Sequence, residues 1–207
     1  MSLGFYTVVG NAENTTVIER SKFICYAKGV ENEEEAKEFI ASIKKQNSLA
    51  THNCYAYVAD DKGLIAKFSD DGEPQGTAGL PMLEVLKNKK FYKTAVVVTR
   101  YFGGIKLGTG GLTRAYSGAV LDCLNVAKSV NMLSAEFLEL NLDYDGYSTL
   151  LKLVDEEVRV VDSNFGEKIS ISLAVKQGSK EKFTKKLSDA FCGNIDIKVV
   201  KSGYFGF

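Results

Sequence analysis

Alternating apolar residues in the last third of the chain restrict its fold more than any other feature. Segments with a period of two, typical of half-buried strands, begin near residues 137, 158, 169 and 195. Helical spacing separates them over residues 147–154 and again over residues 179–191. The order βαββαβ is that of a ferredoxin-like domain, which we predict for residues 134–207. The exposed strand positions in this domain are polar, so we expect no aromatic residues for stacking bases on its open face.

The preceding residues, 1–133, predict a second domain of mixed α+β structure. Asn32, with Glu35 three residues later, indicates the start of a helix. A β-branched run from Thr94 to Thr99 predicts a strand that leads into a glycine-rich loop and a long helix. We place the domain boundary near residues 131–135.

Charge is balanced over the whole chain and segregated within it. The 207 residues include 26 basic and 26 acidic side chains, which excludes a globally basic nucleic-acid-binding protein. The segment Val85–Leu121 nevertheless holds seven basic residues and no acidic one. No apolar run is long enough to span a membrane, no secretory signal is recognisable, and the four cysteines are scattered. We therefore expect a cytoplasmic protein with reduced thiols and no membrane association.

The segment Thr99–Tyr116 is the strongest candidate for a binding site. It places five glycines between a predicted strand and a predicted helix, where backbone N–H groups can approach an anion. The candidate phosphate or nucleic-acid ligands in it are Arg100, Gly103, Gly104, Lys106, Gly108, Thr109, Gly110, Gly111, Thr113 and Arg114. The segment matches neither a Walker A motif nor a dinucleotide-binding fingerprint. The alternative is a tight turn whose glycines permit close packing of the strand and the helix.

A second segment, Phe68–Pro81, carries the carboxylates Asp70, Asp71 and Glu73. They could bind Mg²⁺ or act as a general base, but Asp-Asp-Gly and Glu-Pro are equally typical of turns. The turn is the favoured interpretation, and we expect neither a metal site nor a cofactor. Residues 76–79 could add a second set of backbone donors at a helix start.

His52 is the only histidine, which excludes a metal site with several histidine ligands. It lies two residues from Cys54 on a predicted strand, so a nucleophilic Cys–His pair is conceivable. A histidine that anchors a loop by hydrogen bonds is the more common arrangement. The sequence assigns no catalytic residue; His52, Asp70, Asp71 and Glu73 are the candidates.

Four segments of the chain resemble the IMPACT/YigZ family: Ser21–Ile24, Ala50–Tyr57, Phe68–Pro74 and Thr99–Gly108. The resemblance implies an N-terminal domain similar to elongation factor G domain IV, with a left-handed, ribosomal-protein-like βαβ crossover. It also implies a C-terminal domain similar to domain V of that factor. Eukaryotic relatives regulate translation through protein partners, and the bacterial members are associated with nucleic-acid binding.

The first functional hypothesis is a non-catalytic protein that binds RNA or the ribosome and regulates translation. One alternative is an enzyme acting on a small phosphorylated or nucleotide ligand, with His52 or the carboxylates as base or metal ligands. Another is a module that binds a protein partner. The oligomeric state is left open.

Overall fold

The computed structural model describes residues 4–207, which form two compact units. One comprises Phe5–Val130, and the other comprises Gly4 with Asn131–Phe207. Within the described residues, no helix has the length and apolar character needed to cross a membrane.

The first unit is a five-stranded antiparallel sheet covered by helices, with one additional short strand. Its strands are β1 (Phe5–Val8), β2 (Asn11–Ile18), β3 (Ser21–Gly29), β4 (His52–Val58), β5 (Ala66–Ser69) and β6 (Thr94–Tyr101). Its helices are α1 (Glu33–Gln46), α2 (Gly79–Asn88) and α3 (Gly108–Val126). The strand order is β2-β3-β6-β4-β5. Because β6 is antiparallel to both β3 and β4, the β3–α1–β4 connection joins parallel strands on either side of β6. The left hand of this crossover stays a prediction.

Both faces of this sheet are buried. On one face, Val96 and Val98 of β6 pack in the same cluster as Leu86 of α2 and Tyr116 of α3. On the other face, Val97 packs in a cluster with the apolar residues of α1. Burial on both faces explains why β6 is a continuous β-branched run.

The predicted start of α1 agrees with the structure. The Asn32 side chain accepts a hydrogen bond from Glu35 N at 2.9 Å, and the Glu35 carboxylate accepts one from Glu31 N at 2.9 Å. The two side chains thereby satisfy one backbone donor in the first turn and one just before the helix.

The second unit has the predicted βαββαβ order. Its elements are β7 (Ser129–Leu142), α4 (Tyr144–Leu151), β8 (Val158–Phe165), β9 (Ile169–Lys176), α5 (Lys180–Ala190) and β10 (Ile197–Gly206). The antiparallel strand order is β10-β7-β9-β8, and the apolar face packs against both helices. Residues 131–135, predicted to separate the domains, lie within β7.

Candidate anion-binding site

The candidate site lies where β6 ends and β4 begins. Because the two strands are antiparallel, His52 lies directly opposite Arg100, which in turn lies opposite Phe23 of β3. Next to them is a cavity of about 460 Å³. Its lining residues are Thr51, His52, Glu73, Pro74, Arg100, Phe102, Lys106, Leu107, Gly108, Thr109 and Leu112.

Arg100 forms the inner wall of this cavity. The residue is only 5% exposed, and its Nη1 donates to Glu73 Oε1 at 2.7 Å. The guanidinium carbon lies 5.4 Å from the ring centroids of both Phe23 and Phe102, within the range of a cation–π interaction with each ring. Nη2 contacts Ser21 Oγ at 3.4 Å, and Nε has no hydrogen-bond partner among the described residues. Arg100 is therefore a buried, positioned cation with one unused donor.

Glu73 connects Arg100 to two further polar side chains. Its Oε1 also accepts a hydrogen bond from Tyr116 Oη at 2.8 Å, and its Oε2 lies 3.8 Å from His52 Nε2. Burial raises the pKa of Tyr116, which keeps the hydroxyl protonated as a donor. His52 Nδ1 lies 2.9 Å from the carbonyl oxygen of Asp71; since a carbonyl only accepts, Nδ1 carries a hydrogen. His52 thus anchors the loop at Asp71 and directs Nε2 toward Glu73.

The N-terminus of α3 supplies the positive side of the cavity. The helix begins at Gly108, where φ is +69°, and its N-cap residue Leu107 forms no side-chain capping hydrogen bond. Uncapped N–H groups and the helix dipole make such an end favourable for an anion. Lys106 and Arg114 are exposed nearby, and neither takes part in an ion pair found in residues 4–207.

The candidate residues of this segment divide between two places. Arg100, Lys106, Gly108 and Thr109 line the cavity described above. Gly111, Arg114 and again Lys106 line an adjacent cavity of about 520 Å³ with Glu19. The remaining candidates, which line neither cavity, are Gly103, Gly104, Gly110 and Thr113.

The glycines of the segment serve different purposes. A Cβ atom on Gly103 would clash with the backbone of Arg20, so this glycine permits close packing against the β2–β3 turn. Gly104, like Gly108, has a positive φ and no neighbour near the position of a Cβ atom. At Gly110, φ is not positive and a Cβ atom would meet only Arg114 Nη1, at 3.8 Å. The packing interpretation therefore holds for Gly103, whereas neither backbone strain nor crowding requires glycine at position 110.

The carboxylates of the second segment are engaged in holding loops. Asp70 accepts hydrogen bonds from the N–H groups of Gly76, Ala78 and Gly79 at 2.8–3.1 Å. The second set of backbone donors considered above is therefore already occupied. Asp71 accepts from Asn53 N at 2.7 Å and pairs with Lys44 at 2.6 Å.

Partial burial tends to raise the pKa of Asp71, but the hydrogen bonds from Lys44 and Asn53 outweigh it and hold the pKa below its usual value. In the described part of the chain, no three His, Cys, Asp or Glu side chains are arranged to hold a metal ion.

The Cys54 thiol and the His52 ring contact different carbonyl groups, those of Asp70 and Asp71, so the structure gives the nucleophilic dyad no support. The Cys54 thiol is fully buried and lies 2.9 Å from the carbonyl oxygen of Asp70. Burial raises its pKa to about 12, so the residue remains a neutral thiol and not the reactive thiolate.

Sequence reasoning did not assign Ser21, Phe102 or Tyr116 to the site. Ser21 and Arg100 are 79 residues apart, and Tyr116 and Glu73 are 43 residues apart. Contacts across such separations leave no local pattern in the sequence.

Comparison with known proteins places both parts of the chain in one family. The family described as Impact N-terminal domain matches residues 19–124, and a domain of unknown function, DUF1949, matches residues 140–194. IMPACT family member YvyE of Bacillus subtilis is 42% identical over 94% of this chain and 90% of that protein. IMPACT family member YigZ of Escherichia coli is 32% identical over 89% of this chain and 92% of that protein.

A crystal structure of a hypothetical protein has a similar fold, with a TM-score of 0.61 and 29% identity over 97% of this chain and 98% of that chain. The two domain matches and the full-length relatives together show that the chain belongs to the IMPACT family.

Proposed function

We propose that the chain is a cytoplasmic, non-catalytic protein that binds phosphate groups of RNA or of the ribosome and regulates translation. The observation that carries this proposal is the uncapped N-terminus of α3 beside two exposed cations, Lys106 and Arg114. An anion at this position would gain backbone hydrogen bonds, the helix dipole and two charges.

The β2–β3 turn adds further positive charge to the same region. Arg20 and Lys22 are exposed, and Lys22 lies opposite Tyr101 in the sheet, immediately before the glycine loop. The ion pairs found in residues 4–207 include neither of them. With the acid Glu19 also at the turn, the local excess of positive charge suits a polyanion, although the chain as a whole is neutral.

Arg100 has a different role from the exposed cations in this proposal. It is buried and paired with Glu73, so it supports the wall of the cavity and is not free to follow a mobile phosphate backbone. Replacing it would disturb the fold together with binding. The exposed pair Lys106 and Arg114 provides the cleaner test.

The test is the salt dependence of RNA binding by a K106A/R114A double variant. Losing two phosphate contacts should weaken binding and reduce the slope of log K against log salt by about 1.4 for single-stranded RNA. The matched control is K87A/K89A, which removes the same charge from exposed positions of the same acid-free segment, at the C-terminal end of α2. Equal slopes for the wild type and K106A/R114A would contradict the proposal.

The enzyme alternative has less support, because the carboxylates it requires as metal ligands or base are engaged by Lys44, by Arg100 and by backbone N–H groups. The protein-interaction alternative is tested by affinity capture from nuclease-treated cells. Partners that survive nuclease treatment would favour it over RNA binding.

The similarity to elongation factor G domains IV and V is part of the same proposal. A parallel β3–α1–β4 crossover and a βαββαβ unit are both features that it requires. If these domains occupy corresponding positions on the ribosome, elongation factor G should compete with this protein in ribosome cosedimentation. Unimpaired cosedimentation with excess elongation factor G would argue against a shared site.

A further inference from the structure

We infer that the free edge of β2 binds an extended peptide of a protein partner, which adds a further strand to the sheet of the first unit and carries a lysine or arginine toward Glu13. This inference goes beyond the proposed function. The groups it uses are those of the β2 backbone and of the groove beside it, not the cations near the start of α3.

β2 lies at one edge of the sheet and lacks the features that usually protect an edge strand from further pairing. It pairs with β3 over eight residues without a bulge, and it contains neither lysine nor proline. Glu13 is its only charged residue. The strand at the opposite edge, β5, is four residues long and carries Lys67, whose side chain is 60% exposed. The sheet therefore has one short, charged edge and one long edge that is open to another strand.

The β2–β3 turn determines which backbone groups of β2 point to the open edge. Glu19 and Arg20 both have positive φ, 44° and 63°, and Ile18 lies opposite Ser21, as in a two-residue type I′ hairpin. The pair next to such a turn exchanges both backbone hydrogen bonds, and bonded pairs alternate from there along the antiparallel ladder. Every second residue counted back from Ile18 therefore bonds to β3. The N–H and C=O groups of the residues between them point to the open edge; these residues are Glu13, Thr15 and Val17.

These outward-pointing groups are accessible to a partner. Glu13 and Thr15 are exposed, and Val17 is 66% exposed. In the described part of the chain, no strand other than β3 pairs with β2. The donors and acceptors repeat every second residue, which is about 6.8 Å along a strand. An extended peptide has the same repeat and offers both donors and acceptors, whereas a phosphate group offers acceptors alone.

The groove beside β2 favours a peptide with positive charge. A cavity of about 540 Å³ lies between β2, β3 and α1. Glu13 of β2 and Glu38 of α1 both line it, both are exposed, and neither belongs to an ion pair found in residues 4–207. Lys28, which also lines the groove, is already paired with Glu35. The groove thus has an excess of negative charge, which a cation on the peptide would complement.

A long basic side chain suits this groove better than a short one. Neighbouring strands lie about 4.8 Å apart, so a side chain on an added strand must be long to reach across β2 into the groove. Tyr26 and Phe39, both half-buried, line the same groove and offer apolar surface to the methylene groups of such a side chain. We therefore expect a peptide of β-branched residues with one lysine or arginine near Glu13.

The experiment uses the isotope-labelled protein and a synthetic octapeptide of alternating threonine and valine with one central lysine, blocked at both ends. In NMR, the peptide should slow hydrogen exchange of the amides of Glu13, Thr15 and Val17. The amides of residues 14 and 16, which already bond to β3, should change little. Two N-methylated peptides carry methyl groups on one or the other alternate set of amides. One should bind like the parent and the other at least tenfold more weakly, because only one set faces β2.

Variants of the protein test the edge and the charge separately. T15P should weaken binding about tenfold or more, since proline is tolerated on a free edge but cannot donate to an added strand. T15V is the matched control, because it keeps the N–H group and should bind like the wild type. E13Q should lose about two- to fivefold in affinity for the lysine peptide and nothing for the same peptide with glutamine in place of lysine.

Equal binding of the two N-methylated peptides, protection of amides outside β2, or no binding of the parent peptide would overturn this inference. These measurements use the wild type, so they decide the matter even if T15P does not fold. Slow exchange of the same three amides that rises with protein concentration and needs no peptide would assign the edge to a second copy of the chain, and would also overturn it. K106A/R114A should bind the peptide like the wild type, so the RNA proposal and this inference can fail separately.

Discussion

The buried ion pair between Arg100 and Glu73 leads to the prediction that depends most directly on the structure. Replacing Glu73 by glutamine keeps the shape of the side chain and an oxygen that can accept from Arg100 Nη1 and Tyr116 Oη, but it removes the negative charge. Arg100, a residue only 5% exposed, would then be left without a counterion. Removing one partner of a buried pair costs about 3–5 kcal/mol.

Two features of the site place the expected loss at the lower end of that range. The rings of Phe23 and Phe102 both lie within cation–π distance of the guanidinium and still stabilise the cation in the variant. The amide of glutamine also retains part of the hydrogen bonding. We therefore expect E73Q to lower the free energy of unfolding by about 3 kcal/mol. With a urea m-value of about 2 kcal/mol/M, this corresponds to a midpoint lowered by about 1.5 M.

The assay is urea denaturation followed by circular dichroism, with hydrogen exchange of peptides from residues 5–130 to assign the loss to this unit. The matched control is E31Q, because the Glu31 carboxylate pairs with Lys93 at 2.7 Å but its side chain is 78% exposed. Such an exposed pair contributes less than about 1 kcal/mol to the free energy of unfolding. If E73Q loses no more stability than E31Q, the buried pair of Arg100 and Glu73 does not stabilise the wall of the cavity, and the role assigned to Arg100 is wrong.

Three further predictions concern other parts of the chain. Iodoacetamide should modify one thiol of the native protein, that of the exposed Cys192, since the other three cysteines are buried; a second modified thiol in a mass spectrum would contradict this. In thermal denaturation, G103A should be destabilised by about 1–3 kcal/mol, because its Cβ atom would clash with a neighbouring backbone. G118A in α3, where a Cβ atom meets nothing, should gain about 0.5–1 kcal/mol in stability. Similar effects at both positions would refute the packing role assigned to Gly103. Hydrogen bonds from Lys67 and from a buried tyrosine lower the pKa of Glu33 to about 2. The Glu33 carboxylate therefore contributes fully to stability above its unfolded-state pKa, and this contribution is lost as the pH falls through about 2. K67M should raise that pKa in an NMR titration, and an unchanged titration curve would show that the Lys67 contact does not persist in solution.

The order of elements in the second unit could be predicted because its signals are local. Alternation and helical spacing need only a few consecutive residues, and they identified four strands and two helices. The strand ends could not be predicted in this way. β7 is already extended at Met132 and β10 continues to Gly206, because the two strands pair with each other as far as these residues.

That additional pairing also corrects the expectation about aromatic residues. The Phe137 and Phe205 ring centroids are 6.1 Å apart, and the register places Phe137 on the face opposite the buried Leu138. The expectation of an open face without aromatic residues was wrong for two reasons. Phe137 has the same strand parity as the polar positions Glu139 and Asn141, and the last strand continues past Phe205.

For the candidate site, the sequence indicated the segment but not how deeply each basic side chain is buried. It grouped Arg100 with Lys106 as equivalent phosphate ligands, yet the first is buried and the second is exposed. The two-residue alternation of β6 could have predicted the burial of Arg100. Arg100 continues the series of Val96 and Val98, which face α2 and α3, so its side chain begins on the buried face of the sheet.

The two interpretations of the glycine-rich segment turn out to depend on each other. Gly103 is required by packing, because the backbone of Arg20 approaches it too closely for any side chain. The same approach brings the β2–β3 turn, with its exposed cations Arg20 and Lys22, next to the loop that carries Lys106. A packing contact thus gathers positive charge from two segments about 80 residues apart at the start of α3. The glycines that permit close packing and the charges proposed to bind phosphate are therefore parts of one arrangement. A larger residue at position 103 should separate the turn from the loop and weaken RNA binding, even though glycine itself makes no contact with the anion.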